Sequence, residues 1–245
     1  MSKIIFKKIS TLILTLLIFV SIAKYYLAFS APLGKEYFKG IDVSAWNENI
    51  DYKKLKESGQ AQFIIIRTSY GWSNWKKFTD SQLQNNIKGA KSAGIPIGAY
   101  HYSYATNTKQ AKKEATFFLE KLKGTQWEYP VFIDFEDECQ SKLSKKERTD
   151  IVETFLDIVE KAGYYVGYYT NLKGLRNLDL NRLARFDLWV AQWNKTCSCE
   201  KSYGIWQHTS AGSIPGIRGR VDLNISYVNY PKIIKERHLN GFKKN

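Results

Sequence analysis

The chain has 245 residues, with 37 Lys and Arg against 23 Asp and Glu and a formal charge of +14. Seven Trp, sixteen Tyr and thirteen Phe supply more apolar surface than a disordered chain holds, and three cysteines are too few for a disulfide scaffold. Only His101, His208 and His238 are present, with no C-x-x-C pair, which argues against a zinc centre and leaves the chemistry to carboxylates, hydroxyls or aromatics.

The N-terminus is a different material from the rest. Lys3, Lys7 and Lys8 precede an uncharged run over residues 9–23, a basic region followed by an apolar one. Residues 1–30 therefore read as an export segment. Cleavage would use the small residues at Ser21/Ala23 or Ala28/Ser30; retention as a membrane anchor would use Lys24 and residues 25–29. Residues 31–39 read as a linker, and the domain beyond is expected outside the cytoplasmic membrane. The first forty residues hold six Lys and one Glu, which leaves +9 of the charge on the remainder. Such a surface attracts anionic wall polymers. Nucleic acid is not expected as a partner, because the Lys residues are dispersed and no recognition motif accompanies them.

From Gly40 a unit of short apolar strand and amphipathic helix repeats. Strands are expected at residues 40–44, 63–68, 96–102, 130–135 and 166–170, and helices at 52–57, 82–93, 109–122, 145–162 and 172–183. Thr79 with Gln82 and Ser144 with Glu147 have capping-box spacing, and Gly59, Gly94, Gly124 and Gly163 stand where left-handed residues close helices. Three more strands at 188–192, 203–208 and 221–224 follow without helical periodicity between them. Eight strands are enough to close a barrel, and no Gly-rich phosphate loop follows the first strand to favour an open nucleotide-binding sheet. The expected architecture is an α/β, TIM-like (β/α)5β3 barrel over residues 40–235, closed by a helix at 227–235 and ending in a basic tail at 236–245.

Active sites of such barrels assemble at the C-terminal ends of the strands. Acidic residues gather there: Asp42 at the first strand, Asp134 and Glu136 at the fourth, Asp222 at the eighth. Alternation puts Asp134 and Glu136 on one face, beside the apolar run Val131, Phe132 and Ile133. Desolvation and mutual repulsion disfavour double ionisation there, so one of the pair should keep its proton near neutrality. That is what a general acid beside an ionised carboxylate requires.

The blocks Gly40-Ile41-Asp42-Val43-Ser44, Gly98-Ala99-Tyr100-His101-Tyr102, Asp134-Phe135-Glu136, Tyr168-Tyr169-Thr170-Asn171, Trp189-Val190-Ala191-Gln192-Trp193, Ile205-Trp206-Gln207-His208 and Val221-Asp222-Leu223-Asn224 together resemble glycoside hydrolase family 25. The resemblance runs in order from Gly40 to about Tyr230. It implies a lysozyme-type N-acetylmuramidase acting on peptidoglycan, without a cofactor or metal and as a monomer, with Glu136 as general acid, Asp134 its charged neighbour, and Asp42 and Asp222 the other two active-site acids. Retaining, substrate-assisted and inverting routes stay open at this point, with retention favoured.

Tyr100, Tyr102, Tyr169, Trp189 and Trp206, with Gln207, are the candidate sugar-binding side chains, since ring faces stack on sugar C–H surfaces. Tyr169 and Trp206 lead, because the resemblance places aromatics there beside the acids. His101 and His208 read as core histidines. Cys139, Cys197 and Cys199 fall in loops toward one mouth, where Cys139 would pair with either of the others or all three stay as thiols. Two other functions compete: a glycan-binding barrel without turnover, and a Mg²⁺ or Ca²⁺ phosphodiesterase built on the same acids.

Overall fold

The computed structural model describes residues 37–71 and 78–241. The export segment, most of the linker and residues 242–245 of the tail lie outside them. Eight strands form a closed barrel in sequence order: β1 (Phe38–Val43), β2 (Phe63–Tyr70), β3 (Ile97–Tyr102), β4 (Val131–Asp134), β5 (Val166–Asn171), β6 (Asp187–Ala191), β7 (Ile205–Gly212) and β8 (Val221–Ser226). Neighbours from β1 to β7 are parallel, and β8 closes the ring antiparallel to both β7 and β1.

The strand sequences explain the layers. In β2, Ile64 and Ile66 pack outward beneath helices while Phe63 and Ile65 turn into the barrel, so both faces are buried and the run is apolar throughout. Helices α1 (Tyr52–Glu57), α2 (Leu83–Ser92), α3 (Thr108–Leu122) and α4 (Lys145–Lys161) cover the first strands, and α5 (Leu172–Arg176) and α6 (Tyr230–Arg237) follow in the second half.

Helix ends follow the local chemistry. The Ser144–Glu147 capping box forms, and Gly59, Gly94, Gly124 and Gly163 all take positive φ. The box expected at Thr79 and Gln82 does not form. Thr79 bridges Ser69 in extended conformation, α2 begins at Leu83, and Asp80 supplies the acceptor: its carboxylate receives the Gln82 N–H at 2.9 Å, the Ala45 N–H at 3.0 Å and Arg67 Nε at 2.8 Å. The helix expected over 172–183 stops at Arg176. Asp179 then accepts from the Asn181 and Arg182 backbone N–H groups, a turn that competes with helical bonds. The basic tail is tied down as far as it is described, since the Tyr165 N–H donates to Leu239 and Tyr164 bridges Asn240.

The lower barrel is filled with aromatic rings. Phe63 stacks on Tyr129 at 4.3 Å, Phe132 meets Trp189 at 5.2 Å, and Tyr230 of α6 plugs the bottom, its hydroxyl donating to Asp187 at 2.6 Å. Gly204 is needed at that floor, because an added Cβ would lie 1.7 Å from the Tyr230 hydroxyl.

Candidate active site

Strand register brings the four acids to the upper rim. Asp42 and Asp222 are direct partners across β1 and β8, and Asp134, the last residue of β4, stands between Tyr102 of β3 and Tyr169 of β5. Glu136 follows two residues beyond the strand end. It is exposed at the rim, with Asn171 Nδ2 donating to its Oε2 at 3.4 Å. The segment that carries it is fixed, since the Phe135 N–H donates to the Tyr169 carbonyl and Thr170 Oγ1 to the Phe135 carbonyl.

Asp42 is nearly buried, and its Oδ2 accepts from Gln207 Nε2 at 2.9 Å and Asn224 Nδ2 at 2.7 Å. Indoles fix both amides. Trp193 Nε1 donates to Gln207 Oε1 at 3.0 Å and Trp189 Nε1 to Asn224 Oδ1 at 2.8 Å. An indole N–H only donates, so each amide must turn its NH₂ toward Asp42. Tyr169 adds its hydroxyl to Gln207 Oε1 at 3.0 Å.

All four carboxyls at the mouth have raised proton affinity. Burial, reinforced by Asp222, pushes Asp42 up to about 8 despite its two amide donors. Asp134 rises well above the carboxylate range, first through burial and then through Glu136 and Asp42; Arg67 offsets only part. Its Oδ1 has no hydrogen-bond partner among the described residues. Burial raises Asp222 to about 6, and desolvation raises Glu136, whose carboxyl is ringed by protein although the residue reaches solvent. The sequence reading gave the retained proton to Glu136 and the charge to Asp134. Both carboxyls are raised, Asp134 chiefly by burial and Glu136 by desolvation that Asn171 partly offsets.

The aromatic candidates divide. Tyr102 lines the mouth, its hydroxyl donating to Asp137 Oδ2 at 3.0 Å, and Tyr169 bears on Gln207 from just below. Tyr100 is buried edge-on against Trp189 at 6.0 Å. Trp189 belongs to the floor: it is 1% exposed and its N–H is committed to Asn224, so it supports the Asp42 network and offers no stacking face. Trp206 also departs from expectation. Gln207 faces inward, so Trp206 before it faces outward into the outer core layer, away from the acids; the His208 ring lies 5.5 Å from it, and Trp206 Nε1 donates to the Gln192 carbonyl at 2.8 Å. His101 is buried, with Nδ1 2.8 Å from Ser69 Oγ and Nε2 3.5 Å from Glu114 Oε2.

Of the two states left open for the cysteines, the structure has the thiols and not the Cys139 disulfide. All three cysteines are free thiols: Cys139 Sγ lies against the Tyr104 carbonyl, while Cys197 and Cys199 pack with the core on the side of the loop after β6. Among the described residues no group of three or more His, Cys, Asp or Glu is placed to hold a metal ion.

Three contributors were not singled out from sequence: Asn171, Asn224 and Trp193. Alternation signals the first two, since Asn171 shares a face with Tyr169 and Asn224 with Asp222. Trp193 lies past the end of β6, where periodicity has no force.

Four carboxyls with raised proton affinity at the rim of a barrel, beside aromatic side chains, define a glycosidase-type site. The model of the family described as glycosyl hydrolases family 25 matches residues 41–217, and the chain belongs to that family. It is 32% identical over 200 residues to the uncharacterized protein YegX of Escherichia coli (strain K12), covering 76% of this chain and 68% of that protein. It is 28% identical to the autolytic lysozyme of Clostridium acetobutylicum, covering 76% of this chain and 55% of the lysozyme. Among solved structures, the modular autolysin LytC of Streptococcus pneumoniae superposes with a TM-score of 0.70 at 30% identity, covering 79% of this chain and 47% of LytC. The chain thus spans about half the length of that autolysin.

Proposed function

We propose that the chain is an N-acetylmuramidase that hydrolyses the β-1,4 bond between N-acetylmuramic acid and N-acetylglucosamine in peptidoglycan. The observation that carries the reading is the convergence of Asp42, Asp134, Glu136 and Asp222 on one mouth, where burial raises the proton affinity of all four. Family membership supports it, as do the lysozyme of Clostridium acetobutylicum and a structure of LytC in complex with synthetic peptidoglycan ligand.

Glu136, the most accessible of the four, donates its proton to the leaving oxygen as the C1–O bond of the muramic residue breaks. The 2-acetamido oxygen attacks C1, and the acetamido N–H donates to Asp134 Oδ1, which has no donor among the described residues. That bond favours the ionised form of Asp134 and lowers its pKa on substrate binding. Asp42 and Asp222 oppose the positive charge that develops on the ring. Water activated by the Glu136 carboxylate then restores the sugar, with retention at C1.

Borohydride reduction of digested, purified walls tests this. Muramitol at the new ends is expected; glucosaminitol, or no new reducing ends, would overturn it. The export segment at residues 1–30 supports action outside the cytoplasmic membrane, checked by a reporter fused after Asn245 that works only in the cytoplasm and should stay silent. The +9 of residues 41–245 supports attraction to anionic wall polymers, and wall binding should weaken as salt rises.

A further inference from the structure

Strands β6, β7 and β8 follow one another with no helix between them, so this arc of the barrel lacks the helical cover of β2 to β5. Trp206 and His208 emerge on its outer face, and register sets Trp206 against Ile225 of β8. With Trp193, Asn194, Lys195 and Thr209 they line a groove of about 510 Å³, within the range that accommodates small-molecule ligands. Trp193 is one wall. It is 64% exposed, and its Nε1 donates to the Gln207 amide that holds Asp42, so groove and mouth share this side chain. Lys195 is exposed and makes no ion pair among the described residues. Burial lowers the pKa of His208, which leaves a neutral ring able both to donate to and accept from hydroxyls.

We infer that this groove is a second glycan-binding site, continuous with the mouth across Trp193, that takes a segment of the substrate strand bearing a carboxylate. An exposed indole face suits the C–H surface of a pyranose ring, His208 and Thr209 suit its hydroxyls, and Lys195 suits an acid attached to it. In a muramic strand the acid is either the lactyl carboxylate or a carboxylate of the peptide stem. The inference rests on the muramidase reading for its ligand.

The test measures binding by the full-length Glu136→Gln chain, in which turnover is suppressed, to three probes: stem-bearing glycan strands, strands stripped of peptide by an amidase, and neutral N-acetylglucosamine oligomers. Adding Lys195→Ala should weaken the anionic strands by roughly fivefold and spare the neutral oligomers. Trp193→Ala should weaken all three by roughly tenfold. Lys88→Ala on α2 removes the same charge elsewhere and should change none. Loss with both kinds of strand points to the lactyl carboxylate, and loss with stem-bearing strands alone points to the peptide; either supports the site. Equal effects of Lys195→Ala and Lys88→Ala would overturn it, and so would a change in self-association with binding intact, which would make the groove a contact between copies. Failure of the muramidase reading is seen separately, as absence of muramitol from wild-type digests.

Discussion

The floor and the mouth of this barrel lie in one interior and solve opposite problems. At the floor, Phe63, Tyr129, Phe132 and Trp189 fill the space, and the one carboxyl there, Asp187, receives the Tyr230 and Tyr165 hydroxyls and the Leu188 N–H. At the mouth four carboxyls crowd together, Asp134 Oδ1 has no partner among the described residues, and Arg67, whose positive charge partly offsets the rise of Asp134, is already paired with Asp80. Burial raises acids in both places, but only the mouth combines burial with like-charge crowding and an unmet acceptor. The lower layer holds the barrel together; the upper layer is crowded electrostatically.

The largest effect separates the two layers by activity. Glu136→Gln keeps the shape of the rim and removes the proton, so turnover on walls should fall by roughly 10² to 10⁴-fold with folding unchanged, read as reducing ends released per unit time and a thermal melt. Near-normal turnover would move the acid to another carboxyl. Trp189→Ala is the counterpart at the floor. Emptying that fully buried site should lower stability by about 3–5 kcal/mol in denaturant unfolding, and it also releases Asn224 from the indole. A Trp189→Ala chain as stable as wild type would show that the floor does not carry the fold.

A smaller effect has the opposite sign. The Asp42 pKa is raised from an ordinary 3.8 to about 8, so its stabilising contribution is present at low pH and is lost as pH rises through about 8. Asp42→Asn keeps an oxygen for the Gln207 and Asn224 donors and removes the titration. It should raise Tm by a few degrees at pH 8 and by less at pH 5, while activity falls. A Tm shift independent of pH would mean that Asp42 carries no frustrated charge.

Much of this contrast was legible in the sequence. Short apolar runs marked the strands, the positions of Gly59, Gly94, Gly124 and Gly163 marked the helix ends, and the acids fell at strand ends where a barrel gathers them. The errors have physical causes. Trp189 and Trp206 are both aromatics in rim-side strands, and only the inward turn of Gln207 and the commitment of each indole N–H tell floor from outer face. The length of α5 was misread because the Asp179 side chain captures backbone donors that a helix would use. The depth of Asp134 below the rim and the Asn171 contact to Glu136 are likewise not revealed by spacing.

The contrast turns on the raised proton affinity of the carboxyls at the mouth. Following the carboxyl ¹³C resonances of the full-length, Asp- and Glu-labelled protein through a pH titration measures it directly. Asp42 should titrate near 8 and Asp222 near 6, with Asp134 and Glu136 above their ordinary values and Asp134 the higher of the two. All four carboxyls titrating near 4, the range of free side chains, would contradict it.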